Sequence, residues 1–286
     1  MLSETRLAFI GSGTMAEAMI KVVLDKALMS PKQIIGSGPR EERGQELRSR
    51  YGIEATTDNR EAARTADIVV LSVKPQVLPT VLAELHGCIM PEALVLSIVA
   101  GRTMATIAAD LTHAAIVRAM PNTPAQIGEG MTVWTATPAV NQRQRDQAQT
   151  LLKAMGQEIY VAEERALDMA TAVSGTGPTY VFLMMEAMVD AAVHLGFSRR
   201  VAKALVIQTV LGSVLFARQS KKHLAELRNM VTSPGGTSAD AIYQLEKGSL
   251  RTILSKAIWA AYQKSILLGE QNNIQSPERE LPLDES

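Results

Sequence analysis

The chain has 286 residues, 47% of them apolar, which is enough to bury a large core and long enough for two domains. Lysine plus arginine and aspartate plus glutamate both total 29, so no net field gathers nucleic acid or an anionic membrane, and any anion must be bound locally. A single cysteine, Cys88, excludes an internal disulfide framework and fits a reducing cytosol.

The start, Met1 to Arg6, runs straight into a strand without the charged and apolar regions of a signal peptide. From Leu7 to about Val161, short β-branched runs alternate with helical stretches: 7–10, 34–36, 68–72, 94–98, 116–120, 132–135 and 158–161. This alternation predicts a largely parallel, doubly wound sheet.

The first strand, Leu7-Ala8-Phe9-Ile10, leads into Gly11-Ser12-Gly13-Thr14-Met15-Ala16 and then a helix from Glu17. A bare G-x-G-x-x-A is a weak signal. Strand before it and helix after it, at the head of a βαβ series, make it a dinucleotide-binding turn. Gly11 makes the turn, Gly13 lets a pyrophosphate approach the backbone, and Ala16 keeps the helix close to the sheet.

An NAD enzyme places an acidic residue about 20 positions further on, against the ribose hydroxyls. Here the second strand ends instead as Ile35-Gly36-Ser37-Gly38-Pro39-Arg40, followed by Glu41, Glu42 and Arg43. The Ser37 hydroxyl and the Arg40 guanidinium suit a 2′-phosphate, which a carboxylate would repel. NADPH is therefore the expected cofactor, with NADH the alternative; Arg40 and Arg43 could also simply solvate a helix face. Two further strand ends, Ser72-Val73-Lys74-Pro75 and Met120-Pro121-Asn122-Thr123-Pro124, are positioned to line the nicotinamide, although proline also merely stops strands.

After Ala162-Glu163-Glu164-Arg165 the strand pattern ends and only helices follow. The expected division is a dinucleotide-binding domain over 1–163, an all-helical domain over 164–270, and a polar, disordered tail over 271–286. The stretch Tyr180 to Leu195 is apolar around nearly its whole circumference, which points to a subunit interface. With Glu186, Asp190 and His194 inside it, it is a poor membrane span.

Near the C-terminus, Val231-Thr232-Ser233-Pro234-Gly235-Gly236-Thr237-Ser238 opens onto a helix beginning at about Ala239. Glycines that admit a ligand to the backbone, ahead of helical N–H groups lacking internal partners, form a second anion receptor. The histidines His86, His113, His194 and His223 have no ligand-spaced partners, and neither a metal set nor a nucleophile elbow is visible. Hydride transfer needs neither, because the cofactor carries the chemistry.

Taken in order, Gly11–Ala16, Ser72–Pro75, Met120–Ala125, Ser174–Pro178 and Ser233–Thr237 make the chain resemble the pyrroline-5-carboxylate reductases, from Leu7 to about Glu270. The resemblance implies an N-terminal Rossmann-like domain that binds NAD(P)H and an all-helical C-terminal dimerisation domain. It implies a homodimer, able to assemble into rings of dimers, that reduces a cyclic imino acid, 1-pyrroline-5-carboxylate, to L-proline. Neither nucleic acid nor membrane is an expected partner.

Carried over by residue, Ser233, Gly236, Thr237 and Ser238 hold the substrate carboxylate, with Thr171 nearby. Asn59 lies along the adenosine side of the cofactor. Lys74, Pro75, Asn122 and Thr123 shape the nicotinamide pocket, together with Ser72 and Val73, while Ser12, Thr14 and Met15 belong to the phosphate-binding turn. Ser238, next to the ring nitrogen, either delivers a proton or positions the ring. The chain departs from the family pattern at Thr14, Thr179, Leu224 and Ser238, where Asn, Ala, Pro and Thr are usual. With the dinucleotide phosphates assigned to Gly11–Ala16 and no basic side chain in the Ser233 turn, a single carboxylate suits that turn better than a phosphate. The alternatives are a reductase of larger cyclic imines, a β-hydroxyacid dehydrogenase, disfavoured by the lack of a lysine after Gly177-Pro178, and a non-catalytic NADPH-binding regulator.

Overall fold

The structure, a computed structural model, describes Leu2 and residues 4–274. Eight strands form one sheet in the order β3-β2-β1-β4-β5-β6-β7-β8. They are β1 (Leu7–Ile10), β2 (Ile34–Ser37), β3 (Glu54–Thr56), β4 (Ile68–Leu71), β5 (Leu94–Ser97), β6 (Ile116–Met120), β7 (Gly130–Ala136) and β8 (Gly156–Tyr160). All neighbours are parallel except β6 and β7. The antiparallel pair follows from its connection: a short 3-10 turn, Thr123–Ile127, joins the two strands where a parallel return would need a crossover helix.

Strands β1, β4, β5 and β6 are buried along their whole length, which is why they read as largely apolar runs; β5 ends on buried Ser97, and buried Arg118 of β6 pairs with Glu164 at 2.8 Å. Their side chains nevertheless alternate between two cores. Leu7, Phe9, Ile68, Val70, Leu94 and Leu96 join one cluster, which includes Met19 and Ile20 of α1 (Thr14–Asp25). Ala8, Ile10, Val69, Leu71 and Val95 join the other, with α3 (Asn59–Ala63), α4 (Leu78–Leu85) and α5 (Met104–Leu111), while Leu47 of α2 (Glu41–Tyr51) belongs to the first. The strand β3, three residues long on the sheet edge, escapes the sequence pattern because Glu54, Ala55 and Thr56 are not buried.

Strand order reverses at β1, which lies between β2 and β4. In an open parallel sheet a crevice forms beyond the carboxyl ends of the strands at such a switch point. The connection leaving β1 there is the glycine turn, and the connection leaving β4 is Ser72–Pro75.

After α6 (Gln142–Ala154) and β8 the described residues form only helices: α7 (Ala166–Ala170), a π turn over Thr171–Gly175, α8 (Gly177–His194), α9 (Arg199–Gln219), α10 (Leu224–Met230), α11 (Thr237–Lys247) and α12 (Leu250–Ile274). The chain divides into two compact units, residues 1–176 with the stretch from Ala261 onward, and Gly177–Ala260. Thus α7 and the π turn, which follow the last strand, belong to the first unit. The last helix extends through residues 271–274, the head of the expected tail; residues 275–286 lie outside the described residues.

The second unit lacks the two-sided core of the first. No residue of α8 is buried, and Phe182 and Leu183 are 61% and 65% exposed. Leu205, Leu211, Val214 and Phe216 of α9 are also exposed. Among the described residues α9 is the one helix long and apolar enough to cross a membrane, by length and composition. Apolar faces of this extent require a cover, and a second copy of the same helices meets that requirement. Sedimentation of the purified chain is expected to give at least twice the 30.9 kDa of one chain. Replacing both Phe182 and Leu183 by Asp is expected to shift it toward the single-chain mass.

Candidate functional site

The glycine turn is fixed from two sides. Gly11 has φ +98°, and a Cβ there would stand 2.7 Å from Val73 Cγ1 and 2.9 Å from the Ser72 carbonyl carbon, so no larger residue fits without displacing the β4 loop. The Gly11 N–H donates to the Ser37 carbonyl at 3.0 Å, and the Ser72 hydroxyl donates to the Gly11 carbonyl at 2.8 Å. The ends of β2 and β4 thus hold the turn between them.

Gly13 caps α1 in extended conformation without a side-chain hydrogen bond, and a Cβ on it would meet no atom within 4 Å. The first N–H groups of α1 lack partners within the helix and face open space at exposed Gly13 and Thr14. Met15 turns onto the core instead. A backbone cradle with room above it and the positive end of a helix behind it fits the pyrophosphate of a dinucleotide.

A charged network closes the flank of this turn. Arg43 donates from Nε to the Ser12 carbonyl at 3.0 Å, from one terminal nitrogen to Glu46 at 2.8 Å, and from the other to Glu17. Glu17 also accepts from Arg50 and, at 2.8 Å, from the Tyr51 hydroxyl. Burial pushes the Glu17 carboxyl up, but the hydrogen bonds from Arg43, Tyr51 and Arg50 outweigh it and hold the group below its ordinary 4.5. Sequence reading places Arg43 only among the surface charges beyond Arg40. Its partners Ser12 and Glu17 lie 31 and 26 residues away, and no local pattern marks them.

Ser37 is placed differently from the expectation that its hydroxyl faces a phosphate. The residue is fully buried, and its hydroxyl donates to Asn59 Oδ1 at 2.7 Å, because β2 runs between two strands inside the sheet. Asn59 in turn donates to Glu84 at 2.7 Å. Exposed Arg40, at the N-cap of α2, is left as the cation facing out beside the strand end. Val73 packs on the Gly11 turn, and Lys74 and Pro75 follow it, with Lys74 exposed.

The β6 end is tied to the π turn. Asn122 donates to the Ser174 carbonyl at 3.0 Å and accepts from the Met131 N–H at 2.9 Å, so its amide braces the loop on both sides. Thr171 opens the π turn and donates to the Leu167 carbonyl at 2.7 Å. Single π turns inside helices recur at functional sites because they displace the backbone ladder.

The Ser233–Ser238 turn lies in the second unit. Gly236 caps α11 without a side-chain hydrogen bond, and its N–H donates to the Ser233 carbonyl at 3.1 Å. A Cβ on Gly236 would stand 2.5 Å from the Ser233 hydroxyl oxygen. The hydroxyls of Ser233, Thr237 and Ser238 surround the uncapped start of α11, and Ser233 and Thr237 are exposed. This arrangement accepts one anionic group through N–H and O–H donors, with no cation in the turn itself.

Comparison with known proteins agrees with both halves. Residues 6–101 match the family described as NADP oxidoreductase coenzyme F420-dependent, and residues 164–268 the family described as pyrroline-5-carboxylate reductase dimerisation. A pyrroline-5-carboxylate reductase of Synechocystis sp. is 40% identical over 93% of this chain and 99% of its own length. A solved pyrroline-5-carboxylate reductase of Coxiella burnetii superposes with a TM-score of 0.86 at 36% identity, covering 92% of this chain and 98% of that one. A Plasmodium falciparum pyrroline carboxylate reductase with NADP bound gives 0.85 at 31% identity, covering 93% and 98%.

The Glu17 network has a pH signature. A carboxyl held below its unfolded value stabilises the fold above that value and loses the contribution as pH falls through the folded value. Glu17→Gln is expected to lower unfolding free energy at pH 7 by about 1–2 kcal/mol, with the difference from the parent shrinking below about pH 4.5. Urea unfolding at both pH values measures it.

Proposed function

The chain belongs to the pyrroline-5-carboxylate reductase family, and from that premise we infer that it is an NADPH-dependent oxidoreductase that reduces 1-pyrroline-5-carboxylate to L-proline. The observation that carries this reading is the pair of glycine-led helix starts, α1 beside the open sheet crevice and α11 beside the Ser233 hydroxyl, both without side-chain caps.

NADPH supplies the hydride that reduces the C=N bond. The chain's own residues bind and orient. Gly11, Ser12, Gly13, Thr14 and Met15 form the pyrophosphate cradle, supported by the uncapped N–H groups of α1. Arg40 takes the 2′-phosphate, and Ser37 acts by holding Asn59 against the adenosine side. Ser72, Val73, Lys74, Pro75 and Asn122 define the nicotinamide end, Asn122 through the loop it braces.

In the substrate half, the hydroxyls of Ser233 and Thr237 and the first N–H groups of α11 hold the ring carboxylate. Ser238 sits by the ring nitrogen. An iminium accepts hydride more readily than a neutral imine, and a neutral serine is a weak acid, so Ser238 positions the protonated ring rather than protonating it. The helical domain, residues 164–270, pairs with a second copy through the apolar faces of α8 and α9, and dimers assemble further into rings. A reducing cytosol is the compartment in keeping with a lone cysteine.

NADPH oxidation monitored with pyrroline-5-carboxylate, with NADH and a six-membered cyclic imino acid in parallel, tests the reading. Turnover is expected with the five-membered ring and is expected to be faster with NADPH; no turnover with either cofactor would overturn it. Ser238→Ala is expected to lower kcat/KM by about tenfold, the loss of one hydrogen bond to a charged group, without moving its pH dependence.

A further inference from the structure

Arg43 stands beside the glycine turn, and each nitrogen of its guanidinium is engaged by the protein. Nε goes to the Ser12 carbonyl at 3.0 Å, and the two terminal nitrogens go to Glu46 and Glu17. Its side chain is 17% exposed, so little of it faces outward for a ligand. Arg40, three residues earlier, is exposed at the N-cap of α2. The two arginines therefore stand in different situations, one held inside a network and one open at the strand end.

The Ser12 carbonyl belongs to the peptide that carries the Gly13 N–H. A trans peptide is planar, and its C=O and N–H point in opposite directions. A guanidinium that holds the Ser12 carbonyl on one side therefore aims the Gly13 N–H to the other, and Gly13 itself is exposed, with nothing within 4 Å of where a Cβ would stand. Glycine is free to rotate such a peptide, and a flanking glycine, Gly11, sits one residue before Ser12; without an external clamp the cradle would sample other orientations. Glu17 is the fourth residue of α1, and through Arg43 it ties the first turn of that helix to the same peptide. Tyr51 and Arg50 hold Glu17 from α2 and its end.

We propose that Arg43 is a positioning residue for the pyrophosphate cradle, acting through the Ser12 carbonyl to preset the Gly13 N–H, and is not a ligand of the 2′-phosphate. The proposal rests on the dinucleotide reading of the Gly11 turn. It makes a prediction that a direct phosphate ligand would not make. The pyrophosphate is common to NADPH and NADH, so loosening the cradle weakens both by the same factor, whereas removal of a 2′-phosphate contact weakens NADPH alone.

The test is calorimetric titration of the ligand-free protein with NADPH and with NADH, with the melting temperature followed alongside. Arg43→Lys keeps a charge for Glu17 and Glu46 but lacks the planar fork that reaches three partners at once. It is expected to raise the Kd of both cofactors by about tenfold, the loss of one charge-assisted hydrogen bond, with the melting temperature within about 2 °C of the parent. Arg40→Ala is expected to raise the Kd for NADPH only. Should Arg43→Lys fail to fold, Glu46→Gln serves instead: it removes the outermost anchor of Arg43, 57% exposed, and is expected to weaken both cofactors two- to threefold. Unchanged affinities, or a loss confined to NADPH, would overturn the proposal. A parent protein that binds neither cofactor would overturn the dinucleotide reading itself.

Discussion

A helix that starts on glycine, with no side chain folded back over its first turn, leaves several N–H groups pointing at whatever lies in front of it. This constraint governs both halves of the chain. Helix α1 begins this way at Gly13 and α11 at Gly236. Elsewhere Asp58, Thr103, Asn141, Ser198 and His223 each accept from the turn that follows, whereas α2, α4 and α7 start uncapped on the bulkier Arg40, Val77 and Arg165. Glycine at the N-cap is what sets α1 and α11 apart, since it leaves the first turn open to a ligand, and the remaining architecture sets what each can hold.

For α1 the setting is the sheet. Parallel strands on either side of β1 bring Ser37 and Ser72 onto the turn, and the absence of a Cβ at Gly11 lets the β4 loop close against it. Charge is arranged with the same economy. Glu17 in the first turn of α1 complements the helix dipole, but a bare carboxylate there would oppose a phosphate. Arg43 and Arg50 both pair with it, so the network leaves that flank of the turn neutralised. Being only partly exposed, the Arg43–Glu17 pair is screened less by salt than a surface pair would be.

Much of this was legible in the residues. Strands β1, β4, β5 and β6 announced themselves because burial on both faces favours apolar side chains, and the glycine turn because Gly11, Gly13 and Ala16 each have a steric cause. The strand β3 did not, since its three residues carry no apolar signal at a half-covered edge. Nor did the antiparallel sense of β7, which depends on the path of the Thr123–Ile127 turn. The inward rotation of Ser37 and the role of Arg43 are tertiary: Ser37 meets Asn59 and Arg43 meets Ser12 across 22 and 31 residues, distances over which neither periodicity nor composition carries information. The second unit inverted the usual sign of the pattern, since its apolar helices α8 and α9 are the exposed ones, and a lone chain cannot satisfy them.

The central claim is that the Ser233–Ser238 turn receives the substrate's carboxylate. The most direct measurement compares kcat/KM for pyrroline-5-carboxylate and for 1-pyrroline, which lacks the carboxylate, in the parent and in Ser233→Ala. If the turn holds the carboxylate, its removal from the ring costs the parent far more than the variant, and Ser233→Ala is nearly silent on 1-pyrroline. Equal losses in parent and variant would place the carboxylate elsewhere and contradict the account.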